Sequence, residues 1–207
     1  MQFSQLKKSL SNYIVFTQND IKKIHPLFHR QRLNEWQYKG YIKKVIKGYY
    51  IFSHIEINEF VLFIIANELY EPTYISLESA LSYYHLIPES IYGITSVNSK
   101  DTYKFKSSLG DFIYKKIKSS AMFGYKLIKY KEHTFKIAEI EKAILDYFYI
   151  KPRLKNKEDF EELRIDKEVF IEYCNKSKLL RYLKAFGNSA LERRIKAFMR
   201  YIQNAES

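Results

Sequence analysis

Apolar residues recur every three or four positions near the start of the chain, which is the spacing of an amphipathic helix. On this basis residues 3–10 predict a first helix. Thr17 predicts the start of a second helix, because its hydroxyl can accept a hydrogen bond from a free backbone N–H group of the first turn. Asp20 follows three positions later, near the positive end of the helix dipole. Pro26 ends this helix or opens the next one.

A third helix and a short hairpin come next. Residues 27–39 predict the helix, and its inward side is predicted to comprise His29, Leu33 and Trp36. Gly40 stands directly after it, where a residue with positive φ commonly ends a helix. Two β-rich runs are then separated by Lys47-Gly48, a pair suited to a tight turn. In the first run, Ile42 and Val45 can both face inward only if the strand contains a bulge.

The middle of the chain passes from helix to sheet. A wide apolar stripe over residues 57–69 predicts a buried helix, and Ser76 predicts the N-cap of the helix after it. Residues 140–148 predict one more helix. Between these helices, a small antiparallel sheet is predicted from four short β-rich runs, residues 94–99, 111–117, 125–130 and 133–137.

The last quarter of the chain has a helical pattern. A polar linker is predicted at residues 153–158, followed by three helices. Their predicted N-caps are Asp166, Ser177 and Ser189. Ser189 and Glu192 also match the capping-box pattern, in which the two side chains satisfy each other's backbone N–H groups.

Together these patterns predict an α+β protein. The order helix, helix, hairpin over residues 1–53 is typical of a winged helix-turn-helix, a DNA-binding module. Residues 54–152 are predicted to form a mixed helix and antiparallel-sheet domain. Residues 153–207 are predicted to form a helical C-terminal subdomain that packs on it. A chain of 207 residues is long enough to bury a core in each of two domains.

Charge is distributed unevenly within a formal net charge of +12. Residues 1–53 carry ten Lys or Arg against two acidic residues, which gives +8. Residues 54–99 carry six Glu and no Lys or Arg, which gives −6, and residues 100–207 carry 25 basic and 15 acidic side chains, which gives +10. The basic first module favours a polyanionic partner, although an AT-rich genome also explains a Lys-rich composition.

Composition excludes several classes of protein. The hydrophobic fraction of 46% and the aromatic fraction of 17% describe a folded chain. Cys174 is the only cysteine, which excludes an intramolecular disulfide and suits the reducing cytoplasm. The longest apolar run, residues 60–66, is shorter than the roughly 20 residues of a spanning helix, so no membrane association is expected. The five histidines show no metal spacing and there is no Gly-rich phosphate loop, so neither a metal nor a cofactor is predicted.

Four sequence blocks resemble one known family. They are KGYIKKVIKGYY (39–50), PTYISLESALSYYHLI (72–87), GDFIYKKI (110–117) and IAEIEKAILDYFY (137–149). In this order they are similar to the AbiE-type antitoxins of abortive infection, also described as predicted regulators of viral defence systems. The resemblance covers residues 1–150, and Ile140 stands where that family usually has proline.

The resemblance implies a function for each part of the chain. The N-terminal winged helix-turn-helix would bind double-stranded DNA at the chain's own promoter and repress its own operon. The second domain would neutralise a partner toxin of nucleotidyltransferase type. The chain would then be a cytoplasmic transcriptional autorepressor and the antitoxin of a phage-defence toxin-antitoxin system.

DNA contact by such a module divides into base reading and phosphate binding. Arg pairs with guanine, and Asn or Gln with adenine, through two hydrogen bonds. The base-reading candidates are Arg30, Gln31, Arg32 and Asn34. The phosphate or minor-groove candidates on the hairpin are Lys43, Lys44 and Lys47. A second basic surface, for an acidic toxin or further DNA, is predicted on the last helix at Arg193, Arg194, Lys196 and Arg200. For both sets the alternative is an ordinary solvated face.

Catalysis is not predicted, and two other functions stay open. Asp111 and Lys115 match part of a nuclease pattern, but no second acidic residue stands at a suitable spacing. Three acids invite a metal-site interpretation, namely Glu139, Glu141 and Asp146. Lys142 lies three positions after Glu139 and four before Asp146, which is the spacing of paired side chains on a helix. A solvated face of mutually paired side chains is therefore the preferred interpretation. The alternatives are a winged-helix protein that binds protein or RNA without a specific operator and, less favoured, a nuclease.

Overall fold

The computed structural model describes residues 1–88 and 93–203. Over these residues the fold is α+β, with ten α-helices, a small antiparallel sheet and a larger mixed sheet. None of the helices in those two ranges combines the length and apolar character needed to cross a membrane.

Three helices and the small sheet make up the N-terminal region. In chain order its elements are α1 (Phe3–Ser9), β1 (Phe16–Thr17), α2 (Gln18–Ile24), α3 (Gln31–Tyr38), β2 (Ile42–Ile46) and β3 (Tyr49–Phe52). The strand order is β1-β3-β2, and both pairs are antiparallel. These elements enclose a hydrophobic cluster of their own, which includes Phe16, Leu33, Trp36 and Phe52.

The predicted start of α2 is confirmed. The Thr17 hydroxyl accepts from the Asp20 N–H at 3.3 Å, and the Thr17 N–H donates to the Asp20 carboxylate at 2.9 Å. This reciprocal pair is a capping box, which satisfies two backbone groups that a helix end would leave free.

The hairpin is also confirmed. Ile46 pairs with Tyr49 across the turn, and Gly48 has φ +91°, a conformation that strains other residues. The register shifts between Lys44 and Ile46. Ile42 and Val45 are both buried, but in different clusters: Ile42 packs in the N-terminal cluster and Val45 in the larger cluster of the second region.

The predicted start of the third helix is wrong. α3 begins at Gln31 because the segment after Pro26 forms turns instead of helix. His29 is therefore exposed, contrary to its predicted inward position. Phe28 is buried in its place, and its ring lies 5.7 Å from the ring of Trp36.

The larger sheet has six strands and is mixed, so the prediction of a small antiparallel sheet is wrong. Its region contains α4 (Glu59–Leu69), β4 (Thr73–Ile75), α5 (Leu77–Tyr83), β5 (Gly93–Asn98), β6 (Tyr103–Ser107), β7 (Gly110–Lys116), a 3-10 helix (Ser119–Ala121), β8 (Tyr125–Tyr130), β9 (His133–Ala138) and α6 (Ile140–Ile150). The strand order is β6-β7-β5-β4-β9-β8, and the β5–β7 and β4–β9 pairs are parallel. β4 and β6 escape prediction because one is three residues long and the other is mostly exposed.

Four helices, not three, close the described chain. They are α7 (Lys157–Glu162), α8 (Lys167–Tyr173), α9 (Lys176–Phe186) and α10 (Ser189–Gln203). The predicted cap Asp166 is confirmed, since it accepts from the Val169 N–H at 3.0 Å. The predicted caps Ser177 and Ser189 are wrong, because asparagines just before them perform the capping: Asn175 accepts from Lys178 at 3.0 Å and Asn188 from Leu191 at 2.9 Å.

α6 occupies the centre of the second region. It contacts α5, α9 and α10 and adjoins β9 of the large sheet. Every residue from Ile140 to Phe148 is buried, including the charged ones. A helix enclosed in this way must pair its charges internally.

Candidate nucleic-acid interface

α3 is held in place by its apolar side. Leu33 and Trp36 are 1% and 3% exposed, and the Trp36 ring meets that of Phe3 edge-on at 5.7 Å. The carbonyl of Trp36 accepts from the Tyr41 N–H at 2.9 Å, which links the helix end to the hairpin. This anchoring fixes which side of α3 faces solvent.

The predicted base-reading residues all lie on the solvent side. Arg30, Gln31, Arg32 and Asn34 are each exposed. Within residues 1–88 and 93–203, the side chains of Arg30, Gln31 and Asn34 form no hydrogen bond or ion pair. Arg32 lies 3.9 Å from the Glu35 carboxylate, an exposed contact that contributes little stability. The structure thus brings these donors together and leaves them available to a ligand.

The hairpin lysines are exposed as well. Lys43 and Lys44 of β2 are both exposed, and Lys47 stands in the two-residue turn. All ten Lys and Arg residues of the first 53 are exposed, so the whole excess of charge in this region lies at its surface.

One of the two acidic residues in this region, Asp20, already has hydrogen-bond partners within the chain. The Asp20 carboxylate accepts from the Thr17 hydroxyl at 2.7 Å and from Lys23 at 3.0 Å. Partial burial raises the pKa of Asp20, but these hydrogen bonds outweigh it and hold the pKa below its usual value. Asp20 therefore stabilises the start of α2. Glu35 is the acidic residue of this region that pairs with an arginine, Arg32.

Two exposed apolar residues were not among the predicted site residues. Leu27 precedes α3 and is 91% exposed, and Tyr38 ends α3 and is 94% exposed. Gln31, Asn34 and Tyr38 follow the i, i+3, i+7 spacing of one helix face. The signal for Tyr38 was present in the sequence, since it falls off the apolar stripe of Leu33 and Trp36.

A different arrangement of charge lies inside the second region. Lys142 and Asp146 of α6 are both 0% exposed and form an ion pair. The Asp146 carboxylate also accepts from the Tyr74 hydroxyl at 3.0 Å and the Ser76 hydroxyl at 2.8 Å, and Lys142 donates to Tyr74 at 2.7 Å. The prediction of a solvated helix face here is wrong, although the pairing of Lys142 with Asp146 is confirmed. α6 is covered on all sides, and Lys142 and Asp146 find their partners on and just after β4.

Burial dominates the protonation of this network. It lowers the pKa of Lys142 and raises that of Asp146, while their mutual attraction opposes both shifts. Burial and the nearby Asp146 carboxylate also raise the pKa of Tyr74. Three aromatic rings surround the Lys142 ammonium, the nearest being Phe186 at 4.7 Å. No solvent-facing atom of the ion pair remains to meet a substrate.

Ser76 takes the N-cap position of α5, as predicted, but does not cap the helix with its side chain. Its hydroxyl donates instead to the Asp146 carboxylate. Leu77 follows with φ +58°, so the strand-to-helix turn is sharp even without glycine. Because Ser76 is 0% exposed, this turn does not present a nucleophile at the surface.

The other acids considered as metal ligands are paired with neighbouring groups. Glu139 binds Lys178 at 2.9 Å, and Glu141 accepts from the Asn175 N–H at 3.0 Å. Asp111, the acid of the nuclease-like pattern, binds Lys104 at 2.5 Å. Among the described residues, no three His, Cys, Asp or Glu side chains are grouped as metal ligands.

The predicted basic surface on the last helix is only partly formed. Arg193, Lys196 and Arg200 are exposed. Lys196 pairs with Glu192 at 2.6 Å. Arg194, predicted to point outward, instead donates to the carbonyls of Phe148 at 2.5 Å and Lys151 at 3.2 Å. It binds the C-terminal end of α6, where free carbonyls attract a cation.

The two arrangements therefore differ in availability. The donors at α3 face solvent, with the exposed Arg32–Glu35 contact as their one ion pair among the described residues, whereas Lys142 and Asp146 of α6 are paired within the core. No protein-family model matches the sequence, and no curated protein matches it significantly.

Proposed function

We propose that the chain is a DNA-binding autorepressor that also acts as an AbiE-type antitoxin. In this proposal residues 1–53 form a winged helix-turn-helix in which α3 is the recognition helix and the β2–β3 hairpin is the wing. The observation that carries it is the exposed set Arg30, Gln31, Arg32 and Asn34, in which the one ion pair among the described residues is the exposed Arg32–Glu35 contact. The core holds the helix that presents this set firmly in place.

The chemistry of this face suits double-stranded DNA. A major groove admits an α-helix and presents donor and acceptor patterns that Arg, Asn and Gln recognise. An α-helix with its side chains is about 10–12 Å across, which fits a major groove about 12 Å wide. Exposed lysines on the neighbouring hairpin suit phosphate contacts, which position the helix without reading sequence.

The antitoxin half of the proposal is supported by the resemblance. Three of its four blocks fall in the second region, on β4 and α5, on β7, and on α6. Two of those blocks supply the buried network of Tyr74, Ser76, Lys142 and Asp146. We propose that this region neutralises a toxin of nucleotidyltransferase type.

Binding to the chain's own promoter tests the first half. In a titration at moderate salt, we expect the promoter fragment to bind roughly 10³-fold or more tightly than a scrambled fragment of the same length. Equal affinities that disappear together as salt rises would contradict an operator. That result would favour the alternative, a winged-helix protein whose partner is protein or RNA.

Growth rescue tests the second half. We expect co-expression of the full chain to relieve the toxicity of a neighbouring nucleotidyltransferase-like protein. The Arg30→Ala/Arg32→Ala variant should rescue equally well when both genes are expressed from an unrelated promoter, because neutralisation uses the second region. Failure of the full chain to rescue would contradict the antitoxin assignment without affecting the DNA-binding one.

A further inference from the structure

Two adjoining concavities lie along one face of α10 and are together called the groove. Their volumes are about 580 Å³ and 530 Å³, and Lys155 contributes to the lining of both. The α10 residues that line them are Ala190, Arg193, Arg194, Ala197, Arg200 and Tyr201. These positions follow the three- and four-residue spacing of a single helix face. From Ala190 to Tyr201 the helix extends about 16 Å, at 1.5 Å per residue.

The groove has cations on both walls. Arg193 and Arg200 stand on α10, seven positions apart, which places them about 10 Å from each other along the axis. Lys155 and Lys157 stand on the facing wall, formed by the segment that leads into α7. All four side chains are exposed. In the part of the chain that the structure describes, Glu161 is the one acidic residue lining either concavity.

Two of these features indicate an extended polyanion. Ala197 lies between Arg193 and Arg200, and Ala190 lies one turn before Arg193, so small residues let a chain approach the helix closely. Lys155, Arg193 and Arg200 have no ion pair within the described ranges. A groove with unpaired cations on both walls attracts repeated negative charge along its length.

The floor of the groove argues against a folded peptide. Helix-binding grooves hold their ligands through exposed apolar anchors, and protein interfaces depend on aromatic or aliphatic side chains that fill pockets. Here Phe160 is 2% exposed and is already packed against Phe198. The ring of Tyr201 is in cation–π contact with the Lys167 ammonium, 4.4 Å from its centre. The groove therefore offers charge rather than apolar anchoring.

We propose that this groove binds the sugar-phosphate backbone of a single-stranded nucleic acid. Proteins that bind single strands combine a positively charged groove that tracks the backbone with aromatic side chains on which bases stack. The groove here supplies the charge, and Tyr201 is the partly exposed aromatic residue in its lining. A duplex is instead read by a convex element that enters its grooves, which is the geometry of α3. Phosphates of a strand laid along α10 meet Arg193 and Arg200 on one side and Lys155 on the other, whereas Lys157 is paired with Glu161. This site is separate from the operator-binding face and goes beyond the proposed function.

Fluorescence anisotropy of a labelled single-stranded oligonucleotide tests the proposal. The probe is a 20-nucleotide oligouridine, and the variant is Lys155→Gln/Arg200→Gln, which removes one cation from each wall. We expect about tenfold weaker binding at low salt. The slope of log Kobs against log salt concentration should also become less negative by about 0.7 for each phosphate that the variant no longer neutralises. The matched control is Lys129→Gln/Lys184→Gln, which removes two exposed lysines outside the groove and should bind like wild type.

Further measurements show whether the probe binds at this groove or elsewhere on the chain. The Arg30→Ala/Arg32→Ala variant should retain oligouridine binding, whatever happens to its promoter affinity. Loss of oligouridine binding in that variant, or wild-type binding by the groove variant, would overturn the proposal. Displacement of the probe by polyglutamate as effectively as by unlabelled oligouridine would also overturn it, in favour of an acidic polypeptide partner. Thermal unfolding of each variant verifies that it is folded, and Arg193→Gln replaces the double variant if that one is not.

Discussion

α3 and α6 carry similar side chains in opposite settings. On α3, arginine, glutamine and asparagine point into solvent, and the helix rests on Leu33 and Trp36. On α6, Lys142 and Asp146 point into the core and satisfy each other, together with the hydroxyls of Tyr74 and Ser76. Both helices carry hydrogen-bonding side chains, so burial and partners decide whether those side chains are available to a ligand.

This difference separates binding from architecture. A donor that faces solvent without a partner costs nothing to leave unpaired and gains when a ligand arrives. A buried charge lowers the stability of the fold by several kcal/mol if its partners are removed, so substitutions at such a pair affect stability. We therefore expect substitutions on α6 to affect stability and substitutions on α3 to affect ligand binding.

The largest effect is expected at Asp146. Asp146→Ala leaves the Lys142 ammonium buried without its carboxylate, which should reduce the free energy of unfolding by about 3–5 kcal/mol. Urea unfolding of the full chain, followed by far-UV circular dichroism, measures it.

Two controls sharpen this test. Lys142→Met/Asp146→Leu should be less destabilised than Asp146→Ala, because no charge is left buried alone. Lys157→Ala removes an exposed pair with Glu161 and should change stability by less than about 1 kcal/mol. An Asp146→Ala loss no larger than that of Lys157→Ala would show that the α6 pair is not a structural element.

A smaller, pH-dependent effect is expected at the start of α2. Asp20→Ala removes half of the capping box and a charge at the helix N-terminus, which should cost roughly 0.5–1 kcal/mol at neutral pH. Since the folded pKa of Asp20 lies below the ordinary value of 3.8, its contribution is complete above that pH and is lost as the pH falls through the folded pKa. Urea midpoints of wild type and variant should therefore converge in acid. A difference that persists undiminished below the folded pKa would contradict the role of the carboxylate.

The weakest effect is expected at the hairpin, where binding to phosphate carries no sequence information. Lys43→Ala/Lys44→Ala should weaken binding to promoter and scrambled DNA by the same factor. It should also reduce the salt dependence by about 0.9 for each phosphate that the lysines neutralise in the wild type. Lys129→Ala, outside the N-terminal region, is the control. A selective loss of promoter binding would mean that these lysines read bases.

The features that were predicted correctly depend on residues close in sequence. Thr17 and Asp20 form their capping box within one helical turn, and Lys47-Gly48 determines a two-residue hairpin. Such short-range rules operate whatever the rest of the chain does, which is why the exposed face of α3 can be predicted from the sequence.

The features that were missed depend on distant parts of the chain. β4 joins the sheet only because β5 and β9 flank it, and three residues carry no pattern of their own. Lys142 and Asp146 lie off the apolar stripe of α6, so the sequence alone places them in solvent. Their burial follows from α9 and the 3-10 helix region, which bring Phe186 and Phe123 over the Lys142 ammonium. Arg194 is likewise directed inward by the carbonyls at the end of α6.

The most direct test of the central claim is a titration of promoter DNA with Arg30→Ala/Arg32→Ala. We expect promoter binding to weaken by about 1–3 kcal/mol for each base that the variant no longer reads, with little change in affinity for scrambled DNA. Thermal unfolding should match wild type, since both side chains are exposed. Promoter affinity equal to that of wild type would contradict the assignment of α3 as the helix that reads DNA.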